Sequence, residues 1–157
     1  MQKTNAMRIL DKSKIEYNAL TYDASDGHID GAAVAKKTGQ DPETVYKTLV
    51  TMGNSRNLYV FVIPVLEELD LKKCAKVSGE KKLEMIHVKD INKFTGYIRG
   101  GCSPLGMKKQ YDTFVQEEAL KLDKIVFSGG KIGLQIEMDP KDLEKVIKVK
   151  FEDVIKR

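Results

Sequence analysis

TVYKTLVT (residues 44–51) and LYVFVIPV (residues 58–65) are two runs of β-branched, aromatic and aliphatic residues separated by Met52-Gly53-Asn54-Ser55-Arg56-Asn57. Runs of this length and composition on either side of a Gly/Asn/Ser-rich connection predict a β-hairpin, and its apolar content places it centrally in a sheet. Working towards the N-terminus, Asp41-Pro42 starts a further short turn of helix, and Asp30 caps a helix that stops at Gly39. Before these come a strand over residues 15–22 and an opening helix over residues 4–14, with Thr4 as its cap and Ala6, Met7 and Leu10 on its inner stripe. In the other direction Asp70 caps a helix ending near Gly79, and a shorter helix over residues 88–94 leads to Gly96. A strand pair over residues 124–127 and 131–138 encloses Ser128-Gly129-Gly130, and Asp139-Pro140 opens a last helix with Leu143, Val146 and Ile147 on one side. Strands mixed with segregated helices define an α+β class, expected as one domain over residues 1–157 with no internal repeat or linker.

Bulk properties narrow the function. The longest apolar run, residues 58–66, is far shorter than the roughly 20 residues that span a bilayer, and MQKTNAMRIL has no signal-peptide core, so a cytoplasmic protein is expected. Cys74 and Cys102 are the only cysteines and form no CxxC pair, so neither a disulfide framework nor a zinc site is expected. The net charge of +4, from 27 Lys and Arg against 23 Asp and Glu, favours an anionic partner without requiring one. Only Arg8, Arg56, Arg99 and Arg157 carry guanidinium groups, and a lysine-dominated surface suits phosphate contact better than base reading.

Familiar catalytic templates are absent: there is no GxSxG elbow, HExxH pair or phosphate-binding Walker loop. His28 and His87 read as surface or capping residues, and Cys102 lacks a histidine partner that would activate it. Two features concentrate the remaining signal. Strand alternation puts Lys47 on the same face as Val45 and Leu49, which is expected to be the buried face; its ammonium must then snorkel to an edge or enter a polar cavity. Seven of the twelve glycines lie between Gly96 and Gly133. Gly100-Gly101-Cys102-Ser103-Pro104-Leu105-Gly106 offers unobstructed backbone N–H groups suited to an oxyanion hole, and Ser128-Gly129-Gly130 adds a hydroxyl; each also reads as an ordinary tight turn.

Together the segments Val45-Tyr46-Lys47-Thr48-Leu49, Leu69-Asp70-Leu71-Lys72-Lys73, Thr95-Gly96-Tyr97, the loop at residues 100–106 and Ser128-Gly129-Gly130-Lys131-Ile132-Gly133-Leu134 resemble the YbaK family of the prolyl-tRNA editing-domain superfamily. The resemblance implies a compact mixed sheet, partly barrel-like, with surrounding helices. It implies a deacylase, without cofactor or metal, that removes cysteine mischarged onto tRNA(Pro), with Cys-tRNA(Cys) as a further substrate, acting in trans beside prolyl-tRNA synthetase. The substrate thiol would attack its own ester carbonyl. Catalytic roles fall on Lys47, Gly100 and Gly101; substrate contacts fall on Tyr22, Tyr97, Ser103, Ser128, Gly129 and Gln135. Gln135 stands where the family usually has an acid. Two other readings stay open: a non-catalytic module that binds aminoacyl-tRNA or the synthetase, and an editing enzyme for another amino acid such as alanine.

Overall fold

A computed structural model describes residues 3–157; Met1 and Gln2, part of the segment read for a leader, lie outside the described residues. Four helices and eight strands follow in chain order: α1 (Asn5–Lys12), β1 (Asn18–Thr21), α2 (Gly31–Lys37), β2 (Tyr46–Gly53), β3 (Leu58–Pro64), α3 (Leu71–Ser78), β4 (Leu83–Met85), α4 (Ile91–Thr95), β5 (Asp112–Gln116), β6 (Ile125–Ser128), β7 (Leu134–Met138) and β8 (Val149–Glu152). Side-chain caps start the first three helices. The Thr4 hydroxyl accepts from Met7 N, Asp30 from Ala33 N, and Asp70 from Lys72 and Lys73 N. Gly79 and Gly96 close α3 and α4 in the left-handed conformation that other residues adopt only at a cost.

The hairpin pairs as expected, from Tyr46 opposite Pro64 to Met52 opposite Leu58. It forms the middle of a five-stranded sheet ordered β4-β2-β3-β5-β8, in which β3 and β5, and β5 and β8, run parallel. The second sheet is antiparallel and ordered β1-β7-β6. All but the last residue of β3 are buried, which explains its unbroken apolar run. Val60 and Val62 face a core shared with α1 and with Phe127 and Ile136 of the second sheet. Tyr59, Phe61 and Ile63 face the opposite cluster, roofed by Cys74 and Ala75 of α3 and by Val154 and Ile155. Phe61 stacks on Phe114 with ring centroids 5.3 Å apart. A fully buried Phe contributes about 1.5–3 kcal/mol by leaving water, so Phe61→Ala would break the packing between the sheet and α3.

Four expectations are corrected. The partial barrel does not form: the sheets pack on a shared core but stay open, with one parallel bridge between them, Val45 to Val126, and with β4 on the flank of β2 from Thr51 onwards. The last helix is a 3-10 segment, Pro140–Lys145, followed by strand β8; Asp139 caps it as expected, but the chain straightens to pair with β5. The loop between β6 and β7 extends through Gly133, so the second strand starts at Leu134 rather than residue 131. The face of β2 carrying Lys47 is not the only buried one: Val45 and Thr51 are buried on that face and Tyr46 and Val50 on the other, with Lys47, Thr48 and Leu49 half-buried between them. Among the described residues no helix is long and apolar enough to cross a membrane.

Candidate active site

The site follows from where the sheet stops. β4 joins β2 only at residues 51–53 and β6 bridges only to Val45, so residues 46–50 have no strand on the edge away from β3. The Val45 carbonyl accepts from Val65 N on the β3 side at 2.8 Å, while the Val50 carbonyl accepts from Ile86 N at 3.2 Å on the other side. Alternation along an antiparallel strand therefore turns the backbone amide and carbonyl of Thr48 into the gap.

The gap is a cavity of about 680 Å³ between the two sheets, closed at its sides by α2 and by the segment around α4. Three buried side-chain polar atoms among the described residues lack a hydrogen-bond partner: the Tyr46 hydroxyl, the Thr48 hydroxyl and Gln135 Oε1. All three residues line this cavity. Each unpaired buried group costs about 1–3 kcal/mol, and their gathering around one cavity singles it out as the candidate site. Burial, with a smaller effect from Glu118, raises the Tyr46 phenol above its ordinary value, so it stays a hydrogen-bond donor near neutral pH.

Of the residues expected from the sequence, Lys47, Gly100, Ser128 and Gln135 line the cavity. Burial lowers the Lys47 ammonium below its usual value, opposed by the more distant Glu68 and Glu67. Gln135 sits in β7 opposite Leu20 of β1 and Ser128 of β6, and is 93% buried as its 7% exposure implies. The Ser128 hydroxyl accepts from Gly130 N at 3.2 Å and retains its own proton for donation.

The other expected residues lie behind the lining. Gly101 N donates to the Ile98 carbonyl at 2.9 Å, so this amide is committed to a turn, and an added Cβ would begin 3.0 Å from the Lys131 Cα. Gly101 is where the two glycine loops pack backbone to backbone. Gly129 N donates to the Leu134 carbonyl at 2.9 Å. The Ser103 hydroxyl is buried and accepts from Leu105 N. Tyr97 is a post between the loops: its hydroxyl donates to the Leu105 carbonyl at 2.6 Å, and a side chain at Gly106, where φ is +79°, would begin 2.6 Å from that oxygen. On its other side the ring packs against Gly130. The Thr4 hydroxyl, already the cap of α1, donates to the Gly129 carbonyl at 2.6 Å and holds the second loop to the helix. Tyr22 follows β1 and donates its amide to the Gly133 carbonyl, beside the second loop and outside the cavity lining.

Sequence reasoning missed Tyr46, Thr48 and Arg99, which also line the cavity. The alternation that puts Lys47 on the expected buried face puts Tyr46 and Thr48 on the other one; only the end of β4 pairing at Thr51 opens a gap beside them. Cys102 lines the cavity too, but burial pushes its thiol up to about 11, against a smaller lowering by the Thr95 hydroxyl, so it is protonated and a weak nucleophile near neutral pH.

The fold is thus an open-edged α+β arrangement with a polar cavity lined from both of its sheets. The chain belongs to the aminoacyl-tRNA editing domain family, whose model matches residues 29–146. It is 46% identical over 153 residues, 98% of this chain and 93% of the relative, to the Enterococcus faecalis protein named "Putative Cys-tRNA(Pro)/Cys-tRNA(Cys) deacylase EbsC". Among solved structures it resembles "hypothetical protein APE2540" with a TM-score of 0.87 at 19% identity, covering 98% of this chain and all of the other. It also resembles "a putative trans-editing enzyme for prolyl tRNA synthetase" with a TM-score of 0.84 at 20% identity, covering the whole of both chains. At those identities the two structures establish the shared fold.

Proposed function

We propose that the chain is a trans-editing aminoacyl-tRNA deacylase that removes cysteine mischarged onto tRNA(Pro), with Cys-tRNA(Cys) as a second substrate. It acts as one editing unit over its length, in the cytoplasm, beside prolyl-tRNA synthetase. The observation that carries this reading is the cavity with three orphaned polar groups, in a family member 46% identical to a protein named as such a deacylase.

The residues divide the work by their chemistry. A cysteinyl ester brings a thiol with an ordinary pKa of about 8.5. Its sulfur attacks the ester carbonyl carbon, a C–S bond forms, the bond to the ribose oxygen breaks, and the thiol proton ends on that oxygen. Cysteine leaves as a thiolactone, which water then opens. The negative charge that develops on the carbonyl oxygen is met by the Thr48 amide, the Gly100 backbone and the Ser128 hydroxyl, preorganised donors of the kind that lower such barriers most. Lys47 at the cavity edge supports the same charge or grips the terminal phosphate. Gln135 Oε1 accepts from the substrate ammonium; a neutral amide holds an ammonium less strongly than a carboxylate would. A serinyl ester, whose hydroxyl is far less acidic, reacts much more slowly by this route.

The test is ester loss from cysteinyl-, alanyl- and prolyl-tRNA at matched concentration. Release of cysteine alone supports the proposal. Release of alanine requires direct attack by water and replaces it. Tight, salt-dependent tRNA binding without release of any amino acid turns the chain into a binding module, the reading that Gln135 favours.

A further inference from the structure

Residues 81–109 hold seven Lys and Arg against two acidic residues, a net +5, so the rest of the chain sums to −1. This segment is a folded wall containing β4, α4 and the first glycine loop. The short helix α4 separates two cavities. Ile91 lines the editing cavity; Phe94, three residues on, lines a second cavity of about 420 Å³ together with Arg56, Tyr59, Lys109 and Tyr111.

In the second cavity cations and aromatic rings are interleaved. Lys109 Nζ lies 6.0 Å from the centroid of the Tyr111 ring, and Lys93 Nζ, outside the lining, lies 5.2 Å from that of Phe94. The Tyr111 hydroxyl donates to the Phe94 carbonyl at 2.8 Å, tying the lead into β5 to α4. Arg56 is held at φ +75° by a hairpin turn in which its amide donates to the Gly53 carbonyl at 2.9 Å. Asp112, the acidic residue of this cavity, is in an ion pair with Lys148 at 3.7 Å. Aromatic faces that take bases, set among cations that take phosphates, are what an unpaired nucleic acid strand requires. Tyr59 lies four residues along β3 from Ile63, the partner of Lys47, a separation of about 13 Å at roughly 3.3 Å per residue. A few unpaired nucleotides cover that distance.

We infer that the second cavity is a nucleotide subsite for the unpaired 3′ end of the RNA, so that the strand crosses α4 on its way to the editing cavity. This rests on the deacylase reading for its ligand. Stacking and phosphate contact carry no base identity, so the subsite holds the RNA end without choosing among tRNAs.

The test uses the full chain with Arg56→Gly and Lys109→Ala combined, neither residue touching the editing cavity. Glycine suits the left-handed conformation at position 56, so folding is preserved. The KM for cysteinyl-tRNA is expected to rise roughly tenfold and the salt slope of tRNA binding to fall by about 1–2. Turnover of 3′-cysteinyl-adenosine, which lacks the upstream nucleotides, is expected to stay unchanged. Equal loss on both substrates, or no loss on either, overturns the subsite. Fluorescence anisotropy of a short RNA matching the uncharged 3′ end keeps the two proposals apart. Binding weakened by the double variant in a protein that releases no amino acid sustains the subsite and rejects the deacylase. Cysteine release with oligonucleotide binding indifferent to both changes does the reverse.

Discussion

Among the described residues two glutamines are buried, and they are treated in opposite ways. Gln116, at the end of β5, is wholly enclosed: its Oε1 accepts from Val154 N at 2.8 Å, and its Nε2 donates to Glu118 at 2.7 Å and Asp153 at 3.0 Å. Gln135, in β7, leaves its Oε1 with no partner. The first region is also braced by charge, since Asp153 accepts from Lys73 at 2.8 Å and from Arg157 at 3.2 Å. Identical side chains therefore report two kinds of interior: one with every polar group paired, the other leaving an acceptor open at a cost in stability.

Substitutions should separate these interiors. The largest effect is expected at the open one: Lys47→Ala should lower turnover of cysteinyl-tRNA by roughly 100- to 1000-fold, as loss of a group stabilising transition-state charge does, with little change in the urea midpoint. Because burial lowers its pKa, wild-type activity that depends on the Lys47 cation should decline on the alkaline side before the ordinary lysine value of 10.5 is reached. A midpoint that falls as far as turnover would place Lys47 in the structural class and break the contrast.

Next comes the glutamine pair itself. Gln116→Ala strands Val154 N and removes one donor from each of two carboxylates, and should cost about 2–3 kcal/mol in urea unfolding, whereas Gln135→Ala should shift stability by under about 1 kcal/mol. Gln135→Ala should instead raise the KM for cysteinyl-tRNA. Equal destabilisation by the two changes would erase the distinction.

A smaller effect is expected in acid. Lys73, and after it Gln116 and Arg157, hold Asp153 down to about 2 from its ordinary 3.8, partly opposed by burial. A folded pKa below the unfolded one gives stability that is present above pH 3.8 and lost as pH falls through about 2. Asp153→Asn should flatten this part of the stability profile measured by circular dichroism. The smallest effect should come from Cys102→Ser, with turnover retained within about twofold, because a protonated thiol contributes little as a nucleophile; strong loss of activity would revive the protein thiol as the attacking group.

Local chemistry made much of this legible in the sequence. The caps at Thr4, Asp30 and Asp70 and the hairpin turn rest on neighbouring residues, and each is where its sequence signal put it. The signals failed at β5 and β8, whose parallel pairings join strands far apart in the chain and leave no turn between them to read. The site divides along the same line. Lys47, Gly100, Ser128 and Gln135 carry local cues or family resemblance, while Tyr46 and Thr48 become cavity residues only because a distant strand, β4, ends at Thr51.

That early ending has another consequence. An unpaired strand segment is a template on which another extended chain can add, and natural sheets discourage this with short edges and well-placed lysines. Residues 46–50 form such a segment along the edge away from β3, with Lys47 within it. The gap beside Thr48 is thus a further edge for strand addition, besides the outer strands β1, β4, β6 and β8, and Lys47 stands within it.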